Sequence, residues 1–282
     1  MWLTHGRAVP DHPCMNESAH ARIARIHLPV APACNIECLY CAKQEPVSPT
    51  TANQPGGCDH VLSPQAALSR AVDFLNTWGK GSIVGIAGPG DPLANESTFE
   101  TIRLLKHFRP DVRLCLCTNG LNLPVAADRL IAFGFDHVSV TVNGVDPQIT
   151  RNILSVVQDG DRRLTGAEGA AFLIERQTEG VRIMAAAGVF VKVNSVVIPG
   201  INDRHLAETA RSMAQNGAGV MNVMPLIPAG RFRRIKPPSM ETMQRIYRAC
   251  GEFLPVFKKC RQCRADACGI PGKEPHRWEK TA

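Results

Sequence analysis

The 282-residue chain is 44 % hydrophobic and 20 % charged, and no apolar run approaches the roughly 18–20 residues that a membrane span needs. Its formal charge of +7 is accompanied by only 5 % aromatic residues and by no nucleic-acid-binding signature, which argues against both a membrane and a nucleic-acid partner. Eleven cysteines, an odd number, do not close into an all-disulfide framework, and the opening MWLTHGRAVPDHPC lacks a basic segment followed by an apolar stretch; a cytoplasmic, metal-binding protein is expected.

Six β-rich runs alternate with segments of helical period: 24–31, 82–87, 112–117, 137–142, 189–197 and 220–226. Between them, Ser63-Pro64 has the form of an N-cap with proline at the first helical position, and predicts a helix to about Trp78. Ser97 and Glu100 have capping-box spacing. Further helices are predicted near 124–133, 167–187, 203–215 and 239–253, the last with Met243, Ile246, Tyr247 and Cys250 on one stripe. Such alternation predicts an α/β fold of parallel strands and crossover helices, in one domain with two terminal extensions.

Strand parity adds a cavity. Leu114 and Leu116 oppose Cys115, Cys117 and Asn119; Val138, Val140 and Val142 oppose Ser139, Thr141 and Asn143; Val189, Val191 and Val193 oppose Lys192 and Asn194. With helices on the apolar face, the polar face lines either a barrel lumen able to hold a ligand or one wet face of an open sheet. His27 has the parity of the cavity-facing set, opposite to Ile26, Leu28 and Val30.

Directly after the first strand comes CNIECLYC, with Cys34, Cys38 and Cys41 in C-x-x-x-C-x-x-C spacing. Soft thiolates select zinc or iron–sulfur clusters, and a structural zinc closes with a fourth protein ligand. A [4Fe-4S] cube held by three thiolates instead leaves one iron free for a small chelating molecule. The Cys260-Arg-Gln-Cys263 pair suits a redox pair or half a zinc site, and the basic run 230–236 suits a phosphate contact or a solvated loop. Cys250 has the pattern of an inert core residue, and Cys268 is undecided.

The three-cysteine motif after strand one, within six βα units, resembles the radical S-adenosyl-L-methionine (SAM) superfamily. That resemblance implies a partial (βα)6 TIM-type barrel spanning 22–255, with cysteine-bearing extensions at 1–21 and 256–282. It also implies a [4Fe-4S] cluster on Cys34, Cys38 and Cys41 that chelates SAM and generates a 5′-deoxyadenosyl radical. GIAGPGDPLAN, at the end of the second strand, stands where the superfamily has a glycine-rich turn; Gly88 and Gly90 are the expected SAM neighbours, with Asn119, Thr141, Asn143 and Asn194 as further contacts.

Within the superfamily the chain resembles the NifB family, through DHPC, HLPVAPACNIECLYC, IVGIAGPGDPLAN, LCLCTNGLNLP, VTVNGVDP, VNSVVIPGIND, MNVMPLIP and CRQCRADA. The resemblance implies two accessory [4Fe-4S] clusters as substrate. These would be fused with a SAM-derived carbide and an extra sulfur into the eight-iron precursor of the nitrogenase cofactor, with methyl transfer as well as radical chemistry. Carried over by position, Cys14, His27, Cys115, Cys260 and Cys263 hold the accessory clusters, His27 serving the reaction as a nitrogen ligand. The implied partners are an iron–sulfur cluster donor, an electron donor such as ferredoxin or flavodoxin, and a separate cofactor-carrier protein, since the carrier domain of some relatives is not expected here. Two departures stand out: Val47 replaces a family cysteine, with Cys58 as the expected substitute, and Cys117 stands where serine is common. A radical SAM paralogue lacking one accessory cluster, or a non-catalytic iron–sulfur scaffold or carrier, is the alternative.

Overall fold

The computed structural model describes residues 3–4, 7–42, 54–260 and 262–273. Six parallel strands lie in chain order across one sheet: β1 (Arg25–Pro29), β3 (Ile83–Ala87), β4 (Arg113–Thr118), β5 (His137–Thr141), β8 (Phe190–Val197) and β9 (Val220–Pro225). The short β10 (Val256–Phe257) extends the sheet beside β9, and β11 (Cys268–Gly269) pairs antiparallel with β1, so the two edges are extended by the carboxy-terminal segment. Residues of β1, β4, β8 and β9 line one common cavity, so the sheet curves into a partial barrel. Among the described residues, no helix is long and apolar enough to cross a membrane.

The outer face of the sheet supplies the core. Ile26, Leu28, Val84, Leu114, Val138, Val140, Val191, Val193 and Met221 are buried against α1 (Pro64–Trp78), α2 (Glu96–Phe108), α3 (Leu123–Ala132), α4 (Gly166–Ala186), α5 (Leu206–Gln215) and α6 (Met240–Gly251). Each fully buried aliphatic side chain contributes about 1.5–3 kcal/mol of transfer free energy, and the strict alternation leaves the polar set facing inward. Cys250 is fully buried in this core, and Cys268 packs against it.

Helix α1 begins as its sequence predicts: the Ser63 hydroxyl accepts from the Ala66 amide at 3.2 Å and Pro64 opens the first turn. Helix α2 departs from the capping-box expectation. Its N-cap is Asn95, whose side chain is occupied by the loop after β1, while the Ser97 hydroxyl donates to the Val30 carbonyl at 2.6 Å. Tertiary partners outbid the local cap. Helix α5 starts at Leu206 rather than near 203, because Asp203 is engaged by the Gly200 amide in the preceding turn.

Besides the short β10 and β11, a second small sheet is absent from the sequence reading. The hairpin of β6 (Leu154–Asp159) and β7 (Arg162–Leu164) forms a small antiparallel sheet with β2 (Ile36–Cys38), the strand that carries part of the cysteine motif.

Candidate active site

The three motif cysteines are held from two sides. Cys38 ends β2, which pairs with β6 through Ile36 opposite Val157 and Cys38 opposite Leu154, with a break in register between Glu37 and Cys38. Beyond the break, the Leu39 amide donates to Ile153 (2.9 Å) and the Cys41 amide donates back to Cys38 (3.1 Å), which turns the chain so that the motif thiols face one cavity. Burial first, then the neighbouring Cys34 and Cys41, push the Cys38 thiol well up, while the Tyr40 hydroxyl donates to it and opposes the shift. Asn143 in turn donates to the Tyr40 oxygen at 2.9 Å.

From the other side, the turn after β3 clamps the loop. Gly90 donates to Ala31 (2.8 Å), Asp91 donates to Ala33 (2.9 Å), and Asn95 both accepts from the Ala33 amide and donates to its carbonyl. Gly88 and Gly90 line the cavity, as expected of SAM neighbours, but the direction a Cβ would take is filled by this chain's own backbone. At Gly88 it would lie 2.6 Å from the Ala31 carbonyl carbon, and at Gly90 it would collide with the Ala33 carbonyl. Their lack of a side chain seats the cysteine loop.

Asp91 is the fixed point of this turn, and sequence reasoning passed over it. Its buried carboxylate accepts from the Leu93 amide (2.9 Å), the Thr118 hydroxyl (2.9 Å) and the Asn119 amide (2.5 Å), tying the end of β4 to the turn. Asn119 then donates to Asn35 (2.7 Å) and points its amide toward Cys34 Sγ at 3.8 Å. The signal was present in the Gly-Asp-Pro of the turn, where Asp caps the short 3-10 helix Pro92–Ala94.

The cavity of Cys34, Cys38 and Cys41, about 370 Å³, also takes Gly88, Gly90, Asn119, Thr141 and Asn143 in its wall. A second cavity of about 390 Å³ adjoins it; His27, Cys41, Cys117, Thr141 and Cys263 line both. The second cavity collects Cys14, Cys115 and Cys260, and Asn194 lies here rather than with the glycine turn. Asn194 donates to Cys117 Sγ at 3.2 Å, and Thr141 lies 3.8 Å from the same sulfur.

Strand register explains how His27 and Cys115 meet. His27, Gly85 and Cys115 occupy one rung across β1, β3 and β4. A Cβ on Gly85 would stand 2.9 Å from the His27 ring and 3.2 Å from Cys115 Sγ, so the central glycine leaves the space into which its two neighbours lean. His27 Nδ1 lies 3.0 Å from the Arg264 carbonyl, a partner that can only accept; the proton therefore sits on Nδ1 and Nε2 keeps its lone pair. Burial foremost, and Arg25 next, lower the His27 pKa to about 4, which keeps the ring neutral at ordinary pH. Burial, followed by Cys263 and Cys260 and opposed by Lys192, pushes the Cys14 thiol up to about 11.

Two buried cations belong to this second cavity. Lys192, 4 % exposed, donates to the Cys14 carbonyl at 3.0 Å; Arg25, 1 % exposed, donates to Gly269 (2.8 Å) and to Cys263 Sγ (3.0 Å). No carboxylate is among the described residues that line it. A soft-donor cavity with fixed positive charge suits an anionic metal cluster, because buried charge is tolerated only when compensated.

The floor holds a feature that sequence reasoning missed. Ligand atoms of His12, Cys115 and His137 lie within 4.8 Å of one another, and Nε2 of both histidines is buried without a hydrogen-bond partner. The Cys14 amide donates to His12 Nδ1 at 3.0 Å, so neutral His12 carries its proton on Nε2 and presents a donor rather than a lone pair. His137 is held through Nδ1 by the Asp136 carboxylate. The trio thus offers a thiol, an imidazole nitrogen and one N–H donor, not three metal ligands.

Cys58 lines neither cavity; it follows Gly57, whose carbonyl accepts from Ala265 at 2.8 Å. Val47 lies outside the described residues. The basic run 230–236 lines neither cavity beyond its first backbone neighbour, Ala229.

Comparison with known proteins agrees with this geometry. The sequence profile of the radical SAM superfamily matches residues 28–213. The chain is 43 % identical over 270 residues to the FeMo cofactor biosynthesis protein NifB of Klebsiella pneumoniae, covering 93 % of this chain and 57 % of that protein. It is 37 % identical over 259 residues to the protein of the same name from Methanocaldococcus jannaschii, covering 92 % of this chain and 86 % of that one. Against the Klebsiella protein, then, the chain spans little more than half the relative's length. Among solved structures, Streptococcus suis SuiB bound to S-adenosylmethionine superposes with a TM-score of 0.61 at 12 % identity, over 89 % of this chain and 53 % of that one. A radical SAM methyltransferase from Sphaerobacter thermophilus superposes at 0.56 and 19 % identity, over 84 % and 64 %. These two show the shared barrel fold. With its cysteine loop, its partial barrel and these relatives, the chain belongs to the radical SAM superfamily and, within it, to the NifB family.

Proposed function

We propose that this chain is a radical SAM enzyme of nitrogenase cofactor biosynthesis, fusing two [4Fe-4S] clusters, a carbide derived from SAM and an extra sulfur into an eight-iron precursor. The observation that carries this reading is the pair of adjoining cavities: one opened by three thiols of a single loop, the other gathering thiols from distant parts of the chain around two buried cations.

Cys34, Cys38 and Cys41 hold the resident cluster, whose chemistry when SAM is bound is reductive cleavage of the sulfonium carbon–sulfur bond. The chain's own residues do the positioning. Asn119 and Thr141 face the same cavity and orient SAM, while Asn143 acts through Tyr40 on Cys38. Gly88 and Gly90 fix the distance between the cysteine loop and the SAM-side wall.

The substrate clusters occupy the second cavity on Cys14, Cys115, Cys260 and Cys263, with His27 Nε2 as an exchangeable neutral ligand. Arg25 and Lys192 balance their negative charge, and the His12 Nε2 proton faces a ligand sulfur. Cys117, in the wall common to both cavities, is better placed than Cys58 to stand in for the cysteine missing at Val47. In domain terms, 1–21 brings Cys14, 22–255 is the barrel and 256–282 brings the Cys260–Cys263 pair over its mouth. A cluster donor, an electron donor and a separate carrier for the product complete the scheme.

Anaerobic reconstitution, iron quantification and EPR test it: three clusters, with 5′-deoxyadenosine and S-adenosylhomocysteine formed on adding SAM and dithionite, are expected. A chain that binds iron but yields neither product is a scaffold. A chain that yields 5′-deoxyadenosine with only two clusters is a paralogue acting on another substrate, the second reading, favoured by Val47 alone.

A further inference from the structure

The run Arg231-Phe-Arg-Arg-Ile-Lys236 is divided by the structure into two faces. Phe232 is buried and Ile235 half-buried, both packed in a small apolar cluster with Leu39 and Tyr40, the residues between Cys38 and Cys41. Arg231, Arg233, Arg234 and Lys236 are all exposed, and among the described residues none of the four forms an ion pair. The run is also locked in place. The Arg231 amide donates to the Leu39 carbonyl at 2.8 Å, and Gly230, at φ +54°, lies so close that a Cβ would stand 2.7 Å from the Cys41 carbonyl oxygen and 2.8 Å from that of Leu39. Four cations with no ion pair among the described residues, Arg233 donating only to the Gly230 carbonyl at 3.4 Å, are therefore carried on a backbone fixed to the loop that bears two of the three motif thiols.

Neither of the roles open to a basic run in the sequence accounts for this. The four cations line neither cavity, so they do not touch a phosphate or carboxylate of a small molecule bound in either. A merely solvated loop has no need of a left-handed glycine and two apolar anchors to hold it against the cysteine loop. Concentrated unpaired charge on a rigid patch raises the encounter rate with an oppositely charged protein by about 10- to 1,000-fold at low salt, and its effect fades as ionic strength rises. Electron transfer falls steeply with distance, so a patch fixed to the cysteine loop is where a reductant must sit to reach a cluster there.

We infer that the exposed cations of residues 231–236 are the docking surface for a small acidic protein reductant that delivers one electron to the cluster held by Cys34, Cys38 and Cys41. The inference rests on the three-cysteine cluster of the proposed function. In the transfer, the carrier's iron–sulfur centre is oxidised by one electron and the resident [4Fe-4S]2+ is reduced to [4Fe-4S]+, with no proton moved and no bond broken.

The test uses the reconstituted full chain and reduced plant-type [2Fe-2S] ferredoxin as probe, whose own EPR signal disappears on oxidation. Binding of the oxidised ferredoxin is measured separately by calorimetry. For Arg233→Glu/Arg234→Glu, and independently for Lys236→Glu, iron content, melting temperature and reduction by dithionite are expected to match wild type. Reduction by ferredoxin is expected to slow at least tenfold at low salt for the double variant. The wild-type rate is expected to fall as salt rises while the variant's stays flat, and ferredoxin affinity is expected to drop in parallel. Equal ferredoxin rates and affinities in wild type and variants, with dithionite-reducible cluster present in both, overturn the docking surface and leave the proposed function standing. No dithionite-reducible cluster in wild type overturns both.

Discussion

Replacing Gly88 with Ala separates two reasons for a glycine in this wall. If glycine were needed only so that SAM can approach, apo protein would not notice the methyl group, and SAM affinity alone would fall. The structure gives a different expectation. The new Cβ would lie 2.6 Å from the Ala31 carbonyl carbon and 2.7 Å from the Ala31 side chain, and closer still to the carbonyl oxygen, so the loop before Cys34 must retreat by about an ångström to restore ordinary contact. Forced overpacking costs about 1–3 kcal/mol. The retreat also loosens the Gly90–Ala31 and Asp91–Ala33 hydrogen bonds, each contributing about 0.5–1.5 kcal/mol. The total is about 2–6 kcal/mol, or, at roughly 2 °C per kcal/mol for a chain of this size, about 4–12 °C in Tm. Differential scanning calorimetry of the apo chain is the assay, with Gly81→Ala, where a Cβ meets nothing within 4 Å, as control. An apo Gly88→Ala variant that melts within 1 °C of wild type while losing SAM affinity would refute the packing argument.

The buried Asp91 carboxylate accepts from the Leu93 amide, the Thr118 hydroxyl and the Asn119 amide, so Asp91→Asn, which turns an N–H toward one of them, is expected to cost about 1–3 kcal/mol in urea unfolding and to lower iron retention at the motif cysteines; an unchanged midpoint would count against its anchoring role. Cys117→Ser is expected to lower iron content by part of one substrate cluster, whereas Cys58→Ala leaves it unchanged; the reverse pattern in anaerobic iron assays would return the role to Cys58. Burial acts to raise the Asp266 carboxyl, but the Arg264 guanidinium and the Asp59 amide outweigh it and hold its pKa below the usual carboxylate range. A depressed folded value means that its stabilisation is present above the ordinary carboxylate pKa and is lost as pH falls through the folded one. Amide exchange in residues 262–269 is therefore expected to accelerate as pH falls below about 4, after correction for intrinsic rates, and Asp266→Asn is expected to abolish that pH dependence.

The barrel was legible because burial imposes a period. The six strand runs follow from β-rich composition between helical segments, the inward set His27, Cys115, Cys117, Lys192 and Asn194 follows from parity, and the structure lines the cavities with that set. What remained hidden depends on partners distant in sequence. The β6–β7 hairpin carries a plain Asp159-Gly160 turn, with Gly160 at φ +57°, yet its apolar residues do not alternate cleanly because they pack on β2 and α4 rather than on the main sheet. Asp91 reads as a turn residue until the Thr118 hydroxyl and the Asn119 amide arrive from β4. Arg25 has the parity of His27, but an arginine at a strand start looks like a surface residue, and its burial requires Gly269 and Cys263 from the far end of the chain. Likewise, the packing of Gly88 and Gly90 against the backbone of the cysteine loop depends on Ala31 and Ala33, more than fifty residues away.

The two sets of thiols differ in how widely they are spread along the polypeptide. The motif thiols come from eight neighbouring residues, whereas the second cavity draws Cys14, Cys115 and Cys263 from nearly the whole chain, with the Gly56 and Gly57 backbone bonded to Cys263 and Ala265 beside it. During synthesis, therefore, a nascent chain carries all three motif thiols long before β6 and the turn at Gly230, which set their geometry, have been made. Metal arriving early meets a partial set of thiols, and the compartments that would seat it are among the last parts of the molecule to be finished.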